Sequence, residues 1–150
     1  MRSAPSHRSP TPALILLVDD NQDGVVARRS VLEELGYKVI SACCGRDALQ
    51  AVEKEDVDLV ITDYKMAPIN GLEFIDTLRK RGFQKPIILL SGFAESLGFR
   101  SETSGADVVI QKSANEIAQL VRCTKRLLTV PKKPAGSRTV GKKGRGTAAS

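Results

Sequence analysis

The sequence holds little of what metal-thiolate, disulfide and histidine chemistry require. Its one histidine, His7, lies in a Ser-, Pro- and Arg-rich start and carries no sign of ligation or catalysis. The three cysteines, Cys43, Cys44 and Cys123, make an odd count with no CxxC spacing. Adjacent cysteines bridge poorly, so the plain reading is three reduced thiols in a cytoplasmic protein, with a redox role for Cys43-Cys44 as the alternative. No apolar run approaches the length of a membrane span. The run from Ala13 to Val18 is too short for a signal-peptide core and ends in two acids.

What is present suits one domain of 150 residues, with 41% hydrophobic and 27% charged residues. The net charge of +6 is unevenly placed. Residues 131–150 hold six Lys or Arg and no acid, and residues 1–12 hold Arg2 and Arg8 and no acid. Removing those eight from the 23 bases leaves 15 against all 17 acids, so the middle of the chain is slightly acidic. Residues 1–12 and 129–150 read as disordered tails flanking a domain over 13–128. The basic C-terminal tail, with Lys132, Lys133, Lys142, Lys143 and Arg145, has the charge to meet nucleic acid or an anionic membrane. It lacks aromatic interleaving and helical spacing, which favours a solubilising role.

Between the tails, short apolar runs alternate with helically spaced segments. The runs are Leu14–Val18, Lys38–Ser41, Leu59–Thr62, Ile87–Leu90 and Val108–Ile110. The helical faces are Val25, Leu32 and Leu35 with Ala27 and Val31, then Ala48, Leu49 and Val52, then Leu72, Ile75 and Leu78. The last is a stripe of Ile117, Leu120, Val121, Thr124, Leu127 and Leu128. Asn70 and Glu73 have capping-box spacing. A weaker segment from Ala94 to Ser104 is broken by Gly98 and several hydroxyl residues. Five strand–helix alternations imply a parallel sheet covered on both faces, with ligands at the carboxyl ends of its strands.

Those ends carry one constellation. The first strand runs into Asp19-Asp20, the third into Asp63, the fourth into Ser91-Gly92 and the fifth into Gln111-Lys112. Three clustered carboxylates repel one another unless a cation joins them. Mg²⁺ (or Mn²⁺), hard and oxygen-seeking, is the natural occupant. A phosphoryl group on Asp63 would bring oxygens for the metal, Lys112 and the Ser91 hydroxyl to compensate, which is what phosphoryl transfer asks of a protein. Each residue alone has a plainer reading. Asp20 or Asn21 can cap the first helix, Ser91 can be a turn hydroxyl and Lys112 a solvated lysine.

With "LLVDD", "DLVITDYKM…NGLEFI", "PIILLSG" and "GADVVIQK" in that order, residues 13–128 resemble the receiver domain of two-component response regulators. The resemblance implies a flavodoxin-like, doubly wound α/β fold: a five-stranded parallel sheet in the order 2-1-3-4-5 with about five helices. It implies that Asp63 accepts a phosphoryl group from a histidine kinase or phosphotransfer protein. Asp19, Asp20, Asp63 and the backbone carbonyl of Lys65 would hold the metal, and Ser91 and Lys112 would contact the phosphoryl oxygens. Lys65 and Phe93 would tune how fast the group is lost. Such a protein is not an enzyme beyond slow self-catalysed phosphorylation and dephosphorylation. Residues after 128 leave no room for an output domain, so the expectation is a stand-alone receiver that signals through contacts with a downstream protein.

Three positions depart from the family pattern. Val109 stands three residues before Lys112, where the family carries a switching aromatic. Ser113 replaces the proline that follows the lysine through a cis bond. A cis bond before a non-proline residue costs about 2.5–4 kcal/mol, so Lys112–Ser113 is expected to be trans. Pro68 comes one place later than usual. The first two favour a competing function, a receiver-like scaffold that binds partners without phosphorylation, while the intact acid set opposes it. An aspartate-nucleophile phosphohydrolase ranks lower, because Lys65 stands where its second acid would be.

Overall fold

The computed structural model describes residues 12–92 and 104–129. Nine elements follow in order: β1 (Leu14–Val18), α1 (Gln22–Glu34), β2 (Lys38–Ala42), α2 (Gly45–Lys54), β3 (Leu59–Asp63), α3 (Gly71–Lys80), β4 (Ile87–Ser91), β5 (Val108–Gln111) and α4 (Glu116–Thr129). All strand pairs are parallel, in the order β2-β1-β3-β4-β5. Four helices stand among the described residues against the expected five or so. The weak segment Ala94 to Ser104 falls almost wholly outside them, as does Phe93.

Side chains alternate across each strand, so the sheet has two apolar faces. On one, Leu16, Val18, Val60 and Leu89 pack with Ala48 of α2 and with Phe74, Ile75 and Leu78 of α3. On the other, Ile15, Leu17, Leu59, Ile61, Ile88 and Ile110 pack with Val25 and Leu32 of α1 and Leu120 of α4. Strands β3 and β4 are buried at every residue, which is why their sequences are near-continuous apolar runs; β2, at the edge, leaves Lys38 and Ser41 exposed and buries Val39 and Ala42.

The helices depart in detail from their expected faces. In α1, Leu35 caps the C-terminus and is 39% exposed, and Ala27 is exposed; the buried stripe is Val25, Arg28 and Leu32. In α3, Phe74 is fully buried and Leu72 only partly so. The helix starts are as expected. Asn21 accepts the Gly24 N–H at 3.1 Å to cap α1, and Asn70 and Glu73 form a reciprocal capping box on α3. Lys112–Ser113 is trans; the cis peptide bond among the described residues is Ala67–Pro68.

Candidate phosphoacceptor site

Acids sit at both edges of the sheet, and their partners separate two roles. At the amino edge, Asp58 accepts the Leu14 N–H and Asp107 accepts the Ile87 N–H, each at 2.8 Å. These carboxylates complete the backbone hydrogen bonding of strand starts. At the carboxyl edge, Asp19, Asp20 and Asp63 each bring an oxygen into a cluster no more than 4.8 Å across. The ladder continues into that edge and holds its backbone. Asp19 N–H donates to the Ala42 carbonyl (3.1 Å), Tyr64 N–H to Leu90 (2.8 Å) and Lys112 N–H to Ser91 (2.7 Å).

Strand parity decides where these side chains go. Asp63 continues the Leu59–Ile61 row and Asp19 continues the Ile15–Leu17 row, both on the face that α1 and α4 cover. Asp63 is 5% exposed and Asp19 3%, while Asp20 is exposed. Lys112 reaches over from just past β5 and places Nζ 2.5 Å from Asp63 Oδ1. Burial pushes the Asp63 carboxyl above its ordinary range; the Lys112 hydrogen bond and charge pull it back, and the nearby Asp19 charge pushes it up again.

The Ser91 hydroxyl is buried and has no hydrogen-bond partner among the described residues. A buried orphan hydroxyl is costly and uncommon. The register pairs Asp63 with Leu90 and Ser91 with Gln111, which sets Ser91 one step beyond the level of Asp63 on the next strand. Lys65 is exposed two residues past Asp63, and Val109 is half-buried against the α2/α3 side of the core. Asn21, rather than Asp20, makes the α1 cap, which leaves the Asp20 carboxylate to the cluster.

Two site residues were absent from the sequence expectation. Arg28 of α1 is 7% exposed, and its Nη1 lies 2.7 Å from Asp19 Oδ2 while its Nε lies 2.6 Å from Oε2 of Glu116, the first residue of α4. Burial works against this guanidinium, yet hydrogen bonds and charge from Glu116 and Asp19 outweigh it and hold Arg28 firmly charged. The signal was legible: an arginine interrupts the Val25–Leu32 stripe at helical spacing, and a charge there needs a buried partner.

The donor set fits a hard divalent cation. It offers carboxylate oxygens and no soft ligand, with Asp20 open to solvent for a partly hydrated ion. An oxyanion carried on Asp63 would meet Lys112 and give the Ser91 hydroxyl a partner.

Comparison with known proteins agrees with this geometry. The family model for the response regulator receiver domain matches residues 15–123. The alkaline phosphatase synthesis transcriptional regulatory protein PhoP of Bacillus subtilis is 36% identical over 77 residues, 51% of this chain and 32% of that protein. The CAI-1 autoinducer sensor kinase/phosphatase CqsS of Vibrio cholerae is 30% identical over 115 residues, 74% of this chain and 17% of that protein. This chain thus spans a third or less of these two relatives. Among solved structures, the response regulator TrrA of Thermotoga maritima in complex with Mg²⁺-BeF has a TM-score of 0.69 at 33% identity, covering 77% of this chain and 98% of that one. The chemotaxis response regulator CheY4 of Vibrio cholerae has a TM-score of 0.69 at 26% identity, covering 78% and 99%. With the family match running from β1 into α4 and the acid cluster at the sheet's carboxyl edge, the chain belongs to the response regulator receiver family.

Proposed function

We propose that residues 13–128 act as a single-domain receiver that takes a phosphoryl group onto Asp63, in the presence of Mg²⁺ or Mn²⁺, from a sensor histidine kinase or a phosphotransfer protein. The observation that carries this reading is the pairing of a buried Asp63 with Lys112 inside a three-carboxylate cluster. In the transfer, an Asp63 carboxylate oxygen forms the new P–O bond as the donor's P–N bond breaks, and the donor imidazole nitrogen keeps the electron pair. Asp19, Asp20, Asp63 and the Lys65 carbonyl would hold the metal, which supplies positive charge against the phosphoryl oxygens. Lys112 offers a second positive charge at the acceptor, and the buried Ser91 hydroxyl offers a donor that has no partner among the described residues. The rigid strand end keeps the acceptor oxygen in place, so catalysis here is positioning and charge compensation. Lys65 and Phe93 would set the lifetime of the acyl phosphate. The phosphorylated form would signal by contact with a downstream protein in the cytoplasm.

A receiver-like scaffold that works without phosphorylation is the second reading. Val109 supports it, since that position lacks the ring that would follow Ser91 toward a bound phosphoryl group. One experiment separates the two. The protein is incubated with Mg²⁺ and acetyl phosphate or phosphoramidate and its intact mass is measured. The acceptor reading expects a gain of one phosphoryl mass that is lost in Asp63→Ala. No gain in the wild-type chain leaves the scaffold.

A further inference from the structure

The acidic cluster already has a cation of its own, built into α1. A buried guanidinium persists only where its charge and donors are matched, and Arg28 is matched from two directions. Asp19 at the end of β1 holds Nη1, and Glu116 at the start of α4 holds Nε. Glu116 is itself 9% exposed. Asp19 has both oxygens engaged: Oδ1 accepts the Asn21 N–H at 2.9 Å, and Oδ2 takes Arg28. Gly24 leaves the room for this pair, since a Cβ there would lie 2.9 Å from Arg28 Nη1 and 3.1 Å from Asp19 Oδ2.

We propose that Arg28 is a positioning residue that competes with the divalent cation for Asp19 and reports the outcome to α4 through Glu116. The proposal rests on reading Asp19, Asp20 and Asp63 as metal ligands. An entering ion needs an Asp19 oxygen that Arg28 occupies, and the two cations repel each other across it. When Asp19 turns to the ion, Arg28 keeps Glu116 alone and the tie between β1 and α4 is released. The change then surfaces at the α1–α4 seam. That route does not pass through Val109, which packs on the opposite, α2/α3 face of the sheet.

The test is a Mg²⁺ titration of the full chain, with affinity read by calorimetry and local response by amide NMR shifts. Arg28→Met removes the competitor and is expected to tighten Mg²⁺ binding by roughly tenfold. Gly24→Ala keeps every charge and places a methyl where the flexible guanidinium end must yield, so it shifts affinity in the same direction without exposing an unpaired acid by deletion. Arg46→Gln, which removes one exposed positive charge at the start of α2, is expected to change affinity less than about twofold, as exposed charges are screened. In the wild-type chain, Mg²⁺ moves the amides of residues 116–119; in Glu116→Gln it still binds and that response is lost. Unchanged or weaker Mg²⁺ affinity in both Arg28→Met and Gly24→Ala overturns the proposal, as do silent 116–119 amides at saturation. If none of the proteins binds Mg²⁺, the metal-site reading falls and takes this one with it.

Discussion

Replacing Gly71 with alanine tests whether the acceptor is held by close backbone packing. Gly71 opens α3 and donates its N–H to the Tyr64 carbonyl at 2.8 Å. A Cβ at this position would run into the Asp63 carbonyl oxygen and come to 3.0 Å from both Leu89 Cδ1 and Tyr64 Cα. Two of these three atoms are backbone, so no side-chain rotation relieves the clash. Overpacking of this kind costs about 1–3 kcal/mol, and a backbone obstacle puts Gly71→Ala near about 2 kcal/mol. For a domain of this size that is a fall in melting temperature of about 6–12 °C. The strain falls on the residue that carries the acceptor carboxylate, so amide shifts at Asp63 and Tyr64 should move and phosphoryl labelling should slow. Gly36→Ala is the control: its φ of +100° strains an alanine, but nothing lies within 4 Å of its Cβ. It should cost about 1–2 kcal/mol and leave labelling unchanged. The reasoning is refuted if Gly71→Ala melts within about 1 °C of the wild-type chain, or if it labels at the wild-type rate despite a large loss of stability.

Other outcomes follow from the same geometry. Burial raises the Asp63 carboxyl above its ordinary value of 3.8, so the folded state binds more protons than the unfolded one between 3.8 and the raised value. Stability from this group therefore falls as pH rises through that window. Asp63→Asn should then melt higher than the wild-type chain at pH 7, with the gap closing below pH 3.8; a lower melting temperature at pH 7 contradicts this. Phe74 is fully buried between α3 and the sheet. Phe74→Ala should lose about 3–5 kcal/mol in urea unfolding, and a loss under about 1 kcal/mol would mean the core closes over the cavity.

The strand runs, the parallel sheet and the set Asp19, Asp20, Asp63, Ser91 and Lys112 were legible in the sequence. Their signals are local: an apolar run of five residues, an acid or hydroxyl where it stops, a cap before the next helix. Periodicity also marked most helical faces, because burial against a sheet selects residues at fixed spacing. Phe74 lies outside the Leu72, Ile75 and Leu78 stripe, two residues past Leu72, yet its spacing of four from Leu78 puts it on the buried face. Leu35 escaped because the helix ends there and the chain turns away.

What only the tertiary structure decided is how the site's charges are shared. The sequence determined that three carboxylates meet at one edge, since Asp19 and Asp20 follow β1 and Asp63 ends β3. It did not determine that Arg28 answers them beside Lys112, because Arg28 and Glu116 are 88 residues apart and meet only when α1 and α4 cover the same face. Likewise, the Ser91 hydroxyl is buried without a partner among the described residues only once β4 lies between β3 and β5. A carboxylate at a strand end is a property of the chain; its partners are set by which helices the sheet brings over it.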